Sequence, residues 1–239
     1  MTLFLLFGQA MAELALPEYL SKIVNVGIQQ KGIHNAVPEA IRSSEMEKIF
    51  LFMDERDSES VKEHYVLLDK SEISTTEYQQ LIEQYPALSQ EPVYVLDTDK
   101  QTDINLLNNL LGRPIMIVAN IEVNALTEYA PDEYIVPPGV DHFEYIASLS
   151  EEDYRQLKNL IDEKTELLPQ SIITQAAISY IAKEYEEAGM DVDGIQSTYI
   201  LHTGGIMLLY ALLGAAAAIA VGFISAKIAA GFARNIRLK

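Results

Sequence analysis

YILHTGGIMLLYALLGAAAAIAVGFISA, residues 199–226, contains no Asp, Glu, Lys or Arg. As a helix rising 1.5 Å per residue it reaches about 42 Å, more than the ~30 Å hydrocarbon thickness of a bilayer. The run therefore predicts a transmembrane helix over 199–239 that continues past the membrane surface, because Lys227–Lys239 contains no proline and only one glycine. Lys227, Arg234, Arg237 and Lys239 follow it, and no acidic residue lies beyond Asp193. By the positive-inside rule these four cations anchor the C-terminus in the cytoplasm and place residues 31–198 outside. Along the helix Gly214, Ala218, Gly222, Ala226 and Ala230 recur at spacing four. Small residues so spaced form one stripe against which a second helix can pack closely.

Working outward, the charge is divided unevenly. The 239 residues carry a formal charge of -18, but residues 31–198 hold 33 acidic and 12 basic side chains while residues 199–239 hold four basic and none acidic. A segment so acidic repels nucleic acid and anionic headgroups, so no nucleic-acid partner is expected. The chain has no cysteine, so an exterior domain has to be held by its own core, which about 165 residues suffice to form.

Met1–Ala12 is apolar but lacks a basic leader, and Gln9-Ala10-Met11-Ala12 matches a signal cleavage site only weakly. Two readings stand: a poor secretory signal, or a first transmembrane helix whose opening turns precede this chain. The second is favoured. It puts Glu13 near the outer interface or against protein, since a lipid-facing carboxylate costs several kcal/mol. Residues 1–30 are then the first helix with its outer extension. Pro17 is expected to close or kink it, and Ser21–Ile33 reads as a short amphipathic segment.

Between the apolar ends, the pattern predicts a helix from Pro38 to about Met53, a charged turn over Asp54–Lys62, and strands at His64–Leu68, Pro92–Leu96 and Pro114–Val118. A capping box at Ser74–Glu77 starts a helix to about Tyr85. Asp103–Leu111 reads as a short helix ended by Gly112, and Tyr134–Val140 as irregular. Helices are expected from Ser150 and from Pro169 to about Ala188, the latter burying Ile172, Ile173, Ala176, Ala177, Tyr180, Ile181 and Tyr185. Gly189 ends it, and Asp191–Ser197 reads as a linker. The fold class is an α-helical membrane protein with an inserted extracytoplasmic α+β domain, rich in helix.

Chemistry-bearing motifs are weak. His34, His64, His142 and His202 lack metal-ligand spacing, and His142 with Asp141 and Glu144 is an ordinary exposed cluster. Asp97-Thr98-Asp99 with Asp103 lacks the glycine and final glutamate of a calcium loop. Asp132-Glu133 suits a turn and Glu151-Glu152-Asp153 a helix N-terminus. No catalytic, cofactor-binding or metal site is assigned.

LALPEYLSKIVNVGIQQKGI (Leu14–Ile33) and GGIMLLYALLGAAAAIAVGFISAKIAAGFARNIR (Gly204–Arg237) resemble the first and second transmembrane segments of bacterial ATP-binding-cassette multidrug exporters. More narrowly, the chain is similar to the permease part of the Gram-positive half-transporters that work as heterodimers. Asn35–Met53 is similar to the start of the acidic extracytoplasmic insert found between helices one and two in some of them. The resemblance implies a cell-membrane, multi-pass permease fragment that forms part of a translocation pathway and its outer domain. It implies as partners the lipid bilayer, the remaining transporter helices, a nucleotide-binding domain and a second half-transporter. The sequence has no Gly-rich phosphate loop followed by Lys and Ser/Thr, so no ATPase activity is expected of this chain, and ATP and Mg belong to the nucleotide-binding domain. The alternative is a membrane-anchored extracytoplasmic ligand-binding or sensor domain that acts alone.

Overall fold

The structure, a computed structural model, describes residues 2–71, 73–124, 126, 129 and 134–237. In chain order the elements are α1 (Thr2–Lys22), a π-helical segment (Ile23–Gln29), β1 (Ala40–Arg42), α2 (Ser43–Phe50), α3 (Glu55–Lys62), β2 (Tyr65–Leu68), α4 (Thr75–Gln84), a 3-10 turn (Pro86–Ser89), β3 (Val93–Leu96), α5 (Gln101–Asn124), α6 (His142–Ala147), α7 (Glu151–Thr165), α8 (Gln170–Glu187) and α9 (Val192–Arg237). Two units result: residues 1–33 with 193–239, and residues 34–192. The protein is thus helix-rich, with two long apolar helices flanking a small sheet-and-helix insert.

The first unit contains two helices, Leu3–Gln29 and Val192–Phe232, that are long and apolar enough to cross a membrane by length and composition. Their large apolar side chains face outward: Phe4 is 80% exposed, Ile219 74% and Phe223 70%. Pro17 does not close α1. It lies inside the helix, and the expected amphipathic segment after it is the continuation of α1 into seven residues of π-helix. Glu13 does not face α9; it is exposed and accepts a 2.8 Å hydrogen bond from Gln9 Nε2. The expected linker at Asp191–Ser197 is mostly the first turns of α9.

The second unit is built on a three-stranded antiparallel sheet of order β1-β3-β2, with Ala40 opposite Val95 and Leu67 opposite Tyr94. The strands expected near 64–68 and 92–96 are β2 and β3. The third is not Pro114–Val118. That run is the buried middle of α5, where Pro114, Ile115, Met116, Ile117 and Val118 are all buried. An apolar run of five is buried on every side whether it is strand or helix, so its periodicity cannot separate the two. Gly112 does not end a helix either. A Cβ there would meet Ile173 Cγ2 at 3.4 Å, so the glycine serves the close crossing of α5 and α8.

The real third strand is Ala40–Arg42, inside the segment expected to begin a helix at Pro38; α2 starts only at Ser43. The charged stretch expected as a turn at 54–62 is largely α3, and its acidic first turn, Glu55 and Asp57, complements the helix dipole. Ser74 accepts from Glu77 N at 3.4 Å and Ser150 from Asp153 N at 3.2 Å, so α4 and α7 start at the expected caps. The core comprises Leu107, Leu111, Ile115, Val118 and Ile121 of α5 with Ile173, Ala177, Ile178 and Ile181 of α8. Ile172 of the expected buried face of α8 is half exposed. Gly189, with φ of 75°, ends the helix in the left-handed region that glycine tolerates.

Candidate functional site

Of the five small residues at spacing four in α9, only Gly214 is buried; a Cβ there would lie 3.6 Å from Ala12 Cβ of α1. Ala218, Gly222, Ala226 and Ala230 are exposed, and nothing lies within 4 Å of a Cβ built at Gly222. Lys227 is exposed; Arg234 and Arg237 lie on the last turns of α9, and Lys239 lies outside the described residues.

The face that α9 turns to α1 is broader than that stripe. From Thr203 on, Thr203, Gly204, Ile206, Met207, Tyr210, Ala211, Gly214, Ala217, Ala220, Val221 and Ile224 are buried or half-buried on α9, and Leu5, Gln9, Ala12, Ala15, Leu16, Tyr19, Ile23, Val26 and Gly27 on α1. Each set forms one face at helical spacing. The pairing is antiparallel. The Tyr19 and Tyr210 rings stack with centroids 5.3 Å apart, and Gln196 Nε2 donates to the Gly27 carbonyl at 2.9 Å. A Cβ at Gly27 would sit 2.8 Å from Ile200 Cγ1, and Gly32, at φ 84°, turns under Gln196 and Tyr199. Sequence reading did not single out Gly27 and Gly32 as packing positions.

Residues 34–192 carry a buried charge network. Glu184, 3% exposed, accepts from Arg42 Nε at 2.9 Å and Nη2 at 2.5 Å, and from the Arg42 backbone N at 3.1 Å. Glu187 takes a further bond from Arg42 at 2.8 Å. Glu45, also buried, accepts from the Tyr180 hydroxyl and from Lys48 at 2.8 Å, and Glu122 bridges Lys48 and Lys183. Hydrogen bonding to Glu184 holds the Arg42 guanidinium above its ordinary value. Burial, then Glu45, pushes the Tyr180 hydroxyl far up, so it stays a donor. Burial pushes the Glu184 carboxyl up, and Arg42 pulls it back. These groups hold β1 and α2 to α5 and α8.

The weaker motifs have local explanations. Asp141 caps α6 by accepting from Phe143 N and Glu144 N, and Asp103 accepts from the Thr98 hydroxyl at 2.9 Å. Glu151, Glu152 and Asp153 form the first turn of α7. Asp132 and Glu133 lie outside the described residues. Among the described residues no three His, Asp or Glu side chains gather to hold a metal ion.

Among the described residues of this unit, two cavities bear on binding. One, of about 560 Å³ between α5 and α8, is apolar, with Met116, Val123, Ile172 and Ala176 in its wall. The other, of about 470 Å³, is bordered by α3, α5 and α7 and is polar, with Asp57, Arg113, Asp162 and Glu166 around it. Both volumes are those of small-molecule sites. Comparison with protein-family profiles, curated proteins and solved structures finds no match to this chain.

Proposed function

We propose that the protein is a membrane component of an ATP-driven exporter of small molecules, with α1 and α9 crossing the bilayer as an antiparallel pair and residues 34–192 on the extracytoplasmic side, over the outer mouth of the pathway. The observation that carries this reading is the surface the pair leaves open. The small-residue face at Ala218, Gly222, Ala226 and Ala230 is uncovered, and Glu13 stands exposed as the one charged residue between Thr2 and Pro17 of α1. A solitary anchor has no use for either. Further helices would pack on the first and shield the second, because an intramembrane carboxylate normally faces protein or a wet cavity. Lys227, Arg234, Arg237 and Lys239 orient α9, and the anionic outer unit raises the local concentration of cationic substrates. ATP and Mg act at a nucleotide-binding domain elsewhere in the assembly, and a heterodimeric partner completes the pathway.

Gly222→Leu tests the reading. The variant is expected to keep the α1–α9 contact but to lose co-purification with the other transporter helices and to lose export. Unchanged co-purification and export would overturn it. Protease added to intact cells is expected to cut within 34–192; cleavage only in inverted vesicles would reverse the orientation. A second reading, a membrane-tethered ligand-binding or sensor unit, is favoured by the polar cavity in residues 34–192. Ligand binding by a chain that functions without partner helices would support that reading over the first.

A further inference from the structure

Arg113 is the one charged residue between Asp103 and Glu122, set in the apolar run LLGRPIMIV of α5. Its neighbours fix its place. Gly112 before it lets α5 approach α8 closely, and Pro114 after it is buried and borders the same cavity as Arg113. Arg113 is half-buried at the rim of the 470 Å³ cavity. The other half-buried cations of residues 34–192 are all paired: Arg42 with Glu184, Lys48 with Glu45, and Lys158 with Asp54 at 2.5 Å. Arg113 makes no ion pair or hydrogen bond among the described residues, although Asp57, Asp162 and Glu166 border the same cavity. Among the described residues those three carboxylates likewise make no ion pair or side-chain hydrogen bond. A planar guanidinium drawn partly out of water and left unpaired is suited to a carboxylate brought by a ligand, which it can grip with two parallel bonds.

The rest of the wall sets what else that ligand carries. The Lys158–Asp54 pair is self-neutralising, so one cation and three anions remain. A simple anion would be repelled by the carboxylates, and a simple cation would leave Arg113 without a partner. A ligand with one carboxylate and two positive groups satisfies both. The wall also offers a backbone acceptor. Pro114 has no N–H, so the carbonyl of Leu110, another wall residue, lacks its helical donor and can take one from a peptide N–H. Phe52, Met53 and Ile173 add apolar surface for aliphatic stems.

We propose that this cavity binds a short basic peptide, with its C-terminal carboxylate on Arg113 and its ammonium groups toward Asp57, Asp162 and Glu166. The proposal goes beyond the transport reading and does not depend on it, since it concerns residues 34–192 alone. The test is calorimetric titration of the full chain in detergent micelles with the dipeptide Ala-Lys, its C-terminal amide, and Ala-Glu. Ala-Lys is expected to bind saturably, the amide at least about tenfold more weakly, as loss of a charge-assisted hydrogen-bonded pair implies, and Ala-Glu more weakly than Ala-Lys. Arg113→Gln is expected to bind acid and amide alike. Absence of saturable Ala-Lys binding at millimolar concentration, equal affinity for acid and amide, or Ala-Glu binding as well as Ala-Lys would overturn the proposal. Should Arg113→Gln fail to fold, the acid-against-amide comparison on the unaltered chain still decides. Failure here leaves the transport reading standing, because co-purification and export are measured without the peptide.

Discussion

Replacing Arg42 by Met would strand the Glu184 carboxylate, 3% exposed, without the guanidinium that now gives it bonds at 2.5 and 2.9 Å. Breaking a buried ion pair by removing one partner costs about 3–5 kcal/mol. Two features place this site at the low end: the backbone N–H of residue 42 still donates to Glu184, and the Arg42 side chain is 21% exposed. A loss of about 3 kcal/mol corresponds to a fall in melting temperature of about 6–12 °C for a unit of this size. The assay is thermal unfolding of the full chain in detergent, followed by the near-ultraviolet signal of its tyrosines. Adding Glu184→Gln should restore most of the loss, because the amide keeps an oxygen for the residue 42 N–H without a buried charge. The penalty also depends on pH. With Arg42 gone the Glu184 carboxyl rises further above its unfolded value of about 4.3. The penalty is therefore relieved below that value and grows as pH rises through the elevated folded value. A single variant melting within about 1 °C of the parent, against the shift expected above, or a double variant no better than the single, refutes the reasoning.

Two further predictions probe other parts of the molecule. The chain has no cysteine, and a Cβ at Gly214 would lie 3.6 Å from that of Ala12, within the range a disulfide requires. Ala12→Cys with Gly214→Cys should therefore oxidise to an intramolecular bridge visible on a non-reducing gel. Adding Gly27→Leu, whose Cβ would meet Ile200 at 2.8 Å, should lower the yield; a bridge formed equally well in both would contradict the α1–α9 seam. The Asp103 carboxyl is held below its ordinary value chiefly by the Thr98 hydroxyl. Its contribution is present above the unfolded value of about 3.9 and disappears as pH falls through the lower folded value. Asp103→Asn should thus be less stable than the parent at pH 7 and converge with it in strong acid; parallel pH profiles would exclude the effect.

What the sequence makes legible follows from how local the cause is. β2, β3, α4, α7 and α8 each carry their own boundary signals: β-branched or aromatic runs, a serine cap, or a glycine in the left-handed region. The length and apolarity of the terminal helices are equally plain. The failures come where tertiary packing decides. Ala40–Arg42 is too short to carry a strand pattern and is extended because β3 lies beside it. The Pro114–Val118 run is helix because α8 covers it, and nothing inside the run says so. On α9 the spacing-four glycines and alanines drew attention to one face, while the more buried face includes Gly214 and leaves Ala218, Gly222, Ala226 and Ala230 exposed.

The charged sites were not read from the sequence, although their signal lies there. In a segment with 33 acidic side chains, carboxylates read as solvated faces, and most are. The informative ones break the local pattern. Glu184 stands three residues after Ile181 and one before Tyr185, on the apolar face of α8, where a carboxylate persists only with a partner. Arg113 stands alone in the apolar stretch of α5. The same anomaly has two outcomes in the fold. Glu184 meets Arg42 and ties β1 to α8, whereas Arg113 meets no counter-ion among the described residues and lines a cavity. A buried pair holds structure, and the proposed peptide site rests on a half-buried charge left without one beside a space large enough for a ligand. Substituting both tells the roles apart: Arg42→Met should lower the melting temperature, and Arg113→Gln should leave it close to that of the parent while abolishing the preference for a free carboxylate.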